Sequence, residues 1–521
     1  MRFTSRSSSP SIQRWLALVV LMLPVLLVAI DNTVLTFAMP EIARDLAPSA
    51  TTQLWIIDVY PLVLSTLLIA SGSLGDRFGR RLLLIIGSTG FVVLSIAAAF
   101  APSAEWLVVF RALMGVFGAA IMPATLSLLR TIFSDRNERR LAIAIWASGF
   151  SAGSAIGPLV GGLLLEHFWW GSVFLIAVPV LLPLLIFAPK LLPESRDDNP
   201  GPIDAVAIGL SMATFGLLVF GIKHLGSYGF DLVVAASFIG SVIAGFAVVR
   251  RLLGQSNPML DVRLFRNGAF SGSVIVNLVS VLALVGFLFF AAQHLQLIEG
   301  LSPFVAALVL VPGIGAVVFS GLFVVRLVRR FSPKSLMILG LSLSGSAYVT
   351  MALFGEHSTP MSIMGSFVLL GLGVGMAETL ANDYVVSSVP AGKAGAASAV
   401  SETAYELGAV LGTSILGSIL SASYRSALVL PSGLTAQQAR DAGETLGGAV
   451  GVADDLPSPL SEQLAEAAGV AFDSGFVTTS WIGFALMAVA IVVVAIALRH
   501  RGAATGQISV QAPAAHSPEP K

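Results

Sequence analysis

The chain has 521 residues, of which 56% are hydrophobic and only 11% charged, with no net charge and no cysteine. Soluble domains carry about 25% charged residues, so a mean hydropathy of +0.89 excludes an ordinary water-exposed surface. Charge neutrality gives no basic footprint for nucleic acid, and the missing thiols exclude disulfides, iron–sulfur clusters and cysteine catalysis.

Arg2, Arg6 and Arg14 precede an apolar run from Trp15 to about Met39 that contains Asp31. The run is far longer than the ~7–15 residues of a cleavable signal core, so it reads as a retained first span. A spanning helix needs about 20 mostly apolar residues. Candidates follow at 15–38, 53–73, 82–101, 104–129, 141–165 and 168–189, then 203–222 and 232–249, then 269–292, 303–325, 335–354, 361–386, 396–420 and 476–498. This gives fourteen spans, grouped as six, two and six.

Charge placement supports the even count. With the N-terminus inside, 24 of the 29 Lys and Arg fall on the cytoplasmic side and four (Arg44, Lys223, Arg425, Arg440) on the outer side, leaving Arg111 within span four. One missed span would invert every later loop and destroy this asymmetry, which the positive-inside rule demands. The expected organisation is a cytoplasmic N-terminus (1–14), a six-helix bundle (15–189), two inserted helices (203–249) and a second six-helix bundle (269–498). The second bundle carries an outer connection, 422–475, with seven acids against two bases. There Thr435 and Ser461 are candidate helix N-caps for a solvated hairpin. An Ala/Pro/Gln-rich tail, 502–521, is expected to be disordered.

Motifs sit at defined places on this frame. Span two ends in Gly72-Ser-Leu-Gly-Asp76-Arg77-Phe-Gly79-Arg80-Arg81. Gly79 permits a tight turn, and Asp76 can pair with an arginine. Span four holds Arg111-Ala-Leu-Met-Gly115-Val-Phe-Gly118, and span five holds Gly153-Ser-Ala-Ile-Gly157-Pro158-Leu-Val-Gly161-Gly162. Glycines 149, 153, 157 and 161 form one smooth helix face that lets a neighbour approach closely. These segments resemble motifs A, B and C of the major facilitator superfamily. Ala29-Ile-Asp31-Asn32-Thr33, Trp55-Ile-Ile-Asp58-Val-Tyr60, Asn257-Pro258-Met-Leu-Asp261 and Glu402-Thr-Ala-Tyr405-Glu406-Leu-Gly408 resemble the fourteen-span drug:proton antiporter branch, specifically the QacA/SmvA-type multidrug exporters. The resemblance runs from Trp15 to about Arg499. It implies an all-α major facilitator fold in a bacterial inner membrane, with both termini cytoplasmic. It further implies proton-coupled export of quaternary ammonium compounds, biguanides, viologens and dyes, giving multidrug and biocide resistance. The chain departs from that pattern in two places: the second-half counterpart of motif A has Val325 where Asp76 stands, and span ten carries no acid.

Asp31, Asp58, Glu378, Glu402 and Glu406 fall within spans, with Asp383 near a span end. Each intramembrane acid costs ~2.5–3.5 kcal/mol on insertion scales, which points to a wet, protein-lined cavity. Asp31 and Arg111 are the candidate proton-coupling pair. Asp58, Glu378, Glu402 and Glu406 are the candidate cation-binding acids, with bracing of span two as the alternative for Asp58. Glu402 and Glu406, one turn apart, share a helix face. Phe287, Phe289, Phe290 and Tyr405 are open to either cation–π contact or packing. Asp76, Arg77, Gly79, Arg80 and Arg81, with Gly72, form the candidate cytoplasmic gate.

Rival readings are weaker. Gly149-Phe-Ser151-Ala-Gly153 matches a nucleophile-elbow pattern, but that device needs a strand-to-helix turn. No Walker A sequence is present. A repeated half favours alternating access over a channel. The remaining alternative is export of an endogenous metabolite or antibiotic. No cofactor or metal is expected. The expected partners are lipid, protons and small lipophilic cations, with the protein acting as a monomer.

Overall fold

The computed structural model describes residues 11–196, 203–255, 258–389 and 394–498, and among these every regular element is helical. The expectations for the extreme N-terminus, for Asn257 and Lys393, and for the 502–521 tail lie outside the described residues.

The first half comprises α1 (Ser11–Leu46), α2 (Ala50–Phe78), α3 (Arg80–Ala99), α4 (Ala104–Gly118), α5 (Ile121–Ile132), α6 (Arg136–His167), α7 (Ser172–Leu175) and α8 (Ala177–Leu191). Span four is α4 and α5 joined by a short break just before Pro123. The inserted pair is α9 (Ala205–Tyr228) and α10 (Leu232–Leu253). The second half comprises α11 (Gly268–Gln293), α12 (Pro303–Leu327), α13 (Pro333–Phe354), α14 (Pro360–Ser387), α15 (Ala394–Gly412), α16 (Ser418–Ala427), α17 (Ala436–Glu444), α18 (Leu446–Asp454) and α19 (Leu460–Ala497). Short π-helical turns, His294–Ile298 and Thr413–Gly417, follow α11 and join α15 to α16.

Thirteen helical segments among the described residues are long and apolar enough to cross a membrane. The remaining expected span, the fifth, lies in α6, whose 32 residues at ~1.5 Å each exceed a ~30 Å hydrocarbon core. The described residues thus form an all-α membrane protein whose helices accommodate the fourteen expected spans.

Local chemistry sets the helix starts. Ser302, Ser332 and Thr359 cap α12, α13 and α14, and each is followed by proline at the first helical position. Asp204 and Asp231 cap the inserted pair. Thr435 caps α17 in a reciprocal capping box with Gln438. Ser461 does not act as a cap: α19 begins at Leu460, and the Ser461 hydroxyl donates to the Ala453 carbonyl. The outer connection, expected as a solvated helical hairpin, is helical but does not stand free in solvent. Its α17–α18 hairpin folds back on the bundle, where Tyr424 donates to the Ala442 carbonyl.

Glycine faces set the closest approaches. A methyl group on Gly153 would meet the Leu26 carbonyl at 2.8 Å, and one on Gly157 would collide with Thr33. Only glycine lets α6 lie this tightly on α1. In the second half, Gly408 and Gly412 bring α15 within 2.5 Å of the Leu278 and Leu282 carbonyls of α11 by the same measure.

The halves meet at the end that carries the α17–α18 hairpin, here the hairpin end. A methyl on Gly162 would lie 2.6 Å from the Phe304 backbone, and one on Gly417 2.6 Å from Leu54. Gln53 donates to Thr445, and Gln296 donates to the Phe37 carbonyl. The opposite, turn end carries the α2–α3 connection.

Candidate functional site

The site forms where α1, α2 and α4 of one half face α15 of the other. Asp31 on α1 and Arg111 on α4 form an ion pair of 2.6 Å, almost sealed from solvent. Arg111 also donates to the Ile56 carbonyl at 3.2 Å, and its guanidinium lies 4.5 Å from the centre of the Tyr60 ring. Three constraints fix one planar fork, which suits arginine better than lysine. The next residue, Asn32, turns the other way. Its amide reaches across the seam to Glu406 on α15, at a long 3.5 Å. Adjacent residues of α1 therefore touch a buried pair in one half and a buried acid in the other.

Glu402 lies one turn along α15 from Glu406 and is partly exposed, as is Glu378 on α14. Among the described residues neither Glu378 nor Glu402 has an ion pair or hydrogen bond. Asp383 is exposed near the end of α14. Nearby, Asn277 donates to Ser401, and Ser401 donates to Asn382 at 2.5 Å, a polar cluster that sequence reasoning missed.

Asp58 occupies a different setting from the one expected. It is fully buried and paired with Lys223 of α9 at 2.9 Å. Thr413 and Ser414 also donate to it, Ser414 at 2.6 Å. A carboxylate with one cation and two hydroxyl donors is already satisfied, so Asp58 is not an open cation-binding acid here. It ties α2 to α9 and to the π-helical turn Thr413–Gly417. Lys223 was expected on the outer surface. It lies instead inside the seventh span with its ammonium 4.0 Å from the Trp55 ring centre.

At the turn end, Gly79 adopts φ 119°, a backbone that favours glycine. Asp76 pairs with Arg80 at 2.7 Å, and Arg80 donates to Ser195 at 3.0 Å. Arg81 pairs with Glu194 at 3.6 Å and donates to the Leu192 carbonyl. Of the charged residues of the candidate gate, Asp76, Arg80 and Arg81 join this network and Arg77 does not. Arg77 is exposed and has no hydrogen bond among the described residues. The network ties α2 and α3 to the segment after α8, all within the first half. Gly72 lies close to Pro123, whose Cβ is 3.9 Å from the position a Gly72 Cβ would take.

Phe287 and Phe290 are packing residues: Phe287 stacks on Phe367, with ring centres 5.3 Å apart, and Phe290 meets Phe476 edge-on. Phe289 is buried as well. The Gly149–Gly153 pattern lies inside continuous helix α6, so no elbow exists there.

The sequence profile described as Major Facilitator Superfamily matches residues 21–413. The chain belongs to this superfamily. It is 55% identical over 485 residues to the multidrug efflux pump LfrA of Mycolicibacterium smegmatis, covering 93% of this chain and 96% of that one. It is 36% identical over 467 residues to the methyl viologen resistance protein SmvA of Salmonella typhimurium, covering 88% and 93%. The inward-facing, unoccupied structure of a bacterial homolog of the human lysosomal transporter Spinster superposes with a TM-score of 0.66 over 94% of this chain and 98% of that one. At 18% identity that likeness shows the fold alone. The chain is a multi-pass membrane transporter of the superfamily's drug-efflux branch, and not an enzyme.

Proposed function

We propose that the protein is a proton-coupled antiporter that expels lipophilic cations, mono- and divalent, from the cytoplasm. One observation carries this reading. Among the described residues none of Glu378, Glu402 and Glu406 forms an ion pair, Arg130 acting on Glu402 only from beyond ion-pair distance, while every other intramembrane acid discussed above except exposed Asp383 has its partner. A carboxylate and a cation 4 Å apart attract by ~4 kcal/mol at an effective dielectric of 20, and a proton on the carboxylate removes that attraction. Protons and cationic cargo then compete for the same groups, which is the requirement for exchange. The names of the relatives agree in kind, since methyl viologen is a dication.

Asp31, held by Arg111, is the proposed coupling acid, and Asn32 its link to Glu406. The motif C glycines Gly153, Gly157 and Gly161 hold α6 tightly on α1 within the first half, and Gly162 sets α6 against α12 of the second half, the surface on which the halves rock. With the cytoplasmic charge excess setting both termini inside the bacterial inner membrane, the closed hairpin end faces outward and the acids open toward the cytoplasm. Motif A then stabilises the cytoplasmic turn end.

A second reading, export of an antibiotic, draws on relatives such as the tetracenomycin C resistance and export protein of Streptomyces glaucescens, 32% identical over 409 residues. A resistance panel in a pump-deficient bacterium separates the two. Protection against quaternary ammonium compounds and viologens, with the viologen protection lost in Glu402→Gln, supports cation export. Protection confined to neutral or anionic antibiotics overturns it.

A further inference from the structure

The inserted helices are a departure from two six-helix halves, and the proposed exchange assigns them nothing. The two helices differ in their surroundings. α10 packs chiefly on α9, with large apolar side chains such as Ile239, Val242 and Phe246 turned outward. α9 lies across the seam between the halves. Its Val219 is buried in one apolar cluster with Leu62 of α2 and with Leu407 and Val410 of α15. Toward the hairpin end, Ser227 hydrogen-bonds Thr51 of α2. One residue earlier, the Gly226 carbonyl accepts from Arg425 of α16, and a methyl on Gly226 would lie 2.6 Å from Ser418. α9 is therefore fastened to both halves at the closed end.

Lys223 sits at the centre of this fastening. Its ammonium is buried, 2.9 Å from Asp58 and 4.0 Å from the Trp55 ring centre. The same carboxylate accepts from Thr413 and Ser414 in the π-helical turn of the second half. A carboxylate, an aromatic face and hydroxyls are the components of a cation site, and here the cation is tethered to the protein. Asp58 thus joins three parts at one point: α2 of the first half, the π turn of the second, and α9.

We propose that α9 is a strap across the seam, with Lys223 as a tethered cation that locks the hairpin end shut through Asp58. Opening that end separates the π turn from α2, and Asp58 then loses two hydroxyl donors at once. Lys223 holds Asp58 where the π turn can meet it, so the full set of contacts forms only with this end closed, and that difference between the states is what shifts the balance. Lys223 is a positioning residue: it acts through Asp58 on the balance between closed and open ends. This proposal rests on the alternating-access reading of the transporter, but not on the identity of its cargo.

Spin-label distance measurements test it in nanodiscs, with no substrate and no proton gradient, so that a wrong cargo assignment does not affect the result. The chain has no native cysteine, and labels at Arg44→Cys and Val429→Cys, both exposed, report the separation of the halves at the hairpin end. The expected result is that Lys223→Met raises the open population about tenfold and Lys223→Arg leaves it near that of the parent. Because a lone buried carboxylate can impair folding, the pair Asp58→Asn with Lys223→Met is measured too. It removes both charges and is expected to fold and to show the same opening. A folded, monodisperse Lys223→Met or paired variant with the parent's distance distribution overturns the proposal.

Discussion

Asp31 and Arg111 form a sealed ion pair of 2.6 Å between α1 and α4, and Asn32, the residue after Asp31, contacts Glu406 of the opposite half. Removing one member of a buried pair strands the other charge and typically costs about 3–5 kcal/mol. Arg111→Met is therefore expected to lower thermal stability markedly, as measured by the melting of purified protein in detergent. Asp31→Asn leaves Arg111 its Ile56 carbonyl and the Tyr60 face, so it is expected to fold. It should bind substrate in fluorescence titrations yet show no uptake driven by a pH gradient. A wild-type response to the gradient moves the coupling role to Glu406 or Glu402.

Glu402 and Glu406 lie one helical turn apart on α15, a spacing that can meet the two positive centres of a dication. Glu402→Gln and Glu406→Gln are each expected to reduce export of methyl viologen at least tenfold while reducing export of a monovalent dye only a few-fold. Parallel transport assays on the two cargoes measure the ratio. Equal losses refute the paired-acid arrangement.

The turn-end network is partly exposed, and such ion pairs contribute about 0–1 kcal/mol each to stability. Asp76 nevertheless orients Arg80, which holds Ser195. Asp76→Asn is expected to cut transport severely with a melting temperature near that of the parent. Arg77→Ala, which breaks no hydrogen bond among the described residues, is expected to transport at close to the parent rate. Loss of transport in Arg77→Ala, or none in Asp76→Asn, contradicts this assignment.

Asp204 caps α9 at its turn-end start. Hydrogen bonds from Arg251, at 2.7 and 2.9 Å, hold its carboxyl below the ordinary carboxylate range, at about 2, and the α9 backbone and Gln255 assist. A depressed folded-state value means that the stabilisation is complete above the unfolded value near 4 and is lost as pH falls toward 2. Asp204→Asn is expected to melt below the parent by a constant margin above pH 5, and the margin should shrink between about pH 4 and pH 2. A margin that grows as pH falls reverses the sign and removes the ion pair from the account.

The membrane architecture was legible because apolar runs of bilayer length and one-sided Lys/Arg placement are coarse signals that survive errors of several residues. Motif A could be located by its spacing, but its partners could not, because Glu194 and Ser195 come from a segment more than a hundred residues away. Asp58 was visible as an intramembrane acid. Its cation was not, because Lys223 sits one residue beyond the span as read from the sequence and resembles a flanking surface lysine. The α17–α18 hairpin read as solvent-exposed because its composition is acidic. Its docking depends on small residues such as Gly447, which approaches Ala43 and carries no hydropathy signal of its own.

The central claim, exchange of protons for cationic cargo, is tested most directly with purified protein in liposomes carrying a pH-sensitive dye inside. Methyl viologen is added outside under an imposed pH gradient, with potassium and valinomycin clamping the voltage. The account predicts cation uptake that carries protons out, saturates with substrate and is absent in Asp31→Asn. Cation movement with no accompanying proton flux, or proton flux unchanged by the cation, contradicts it.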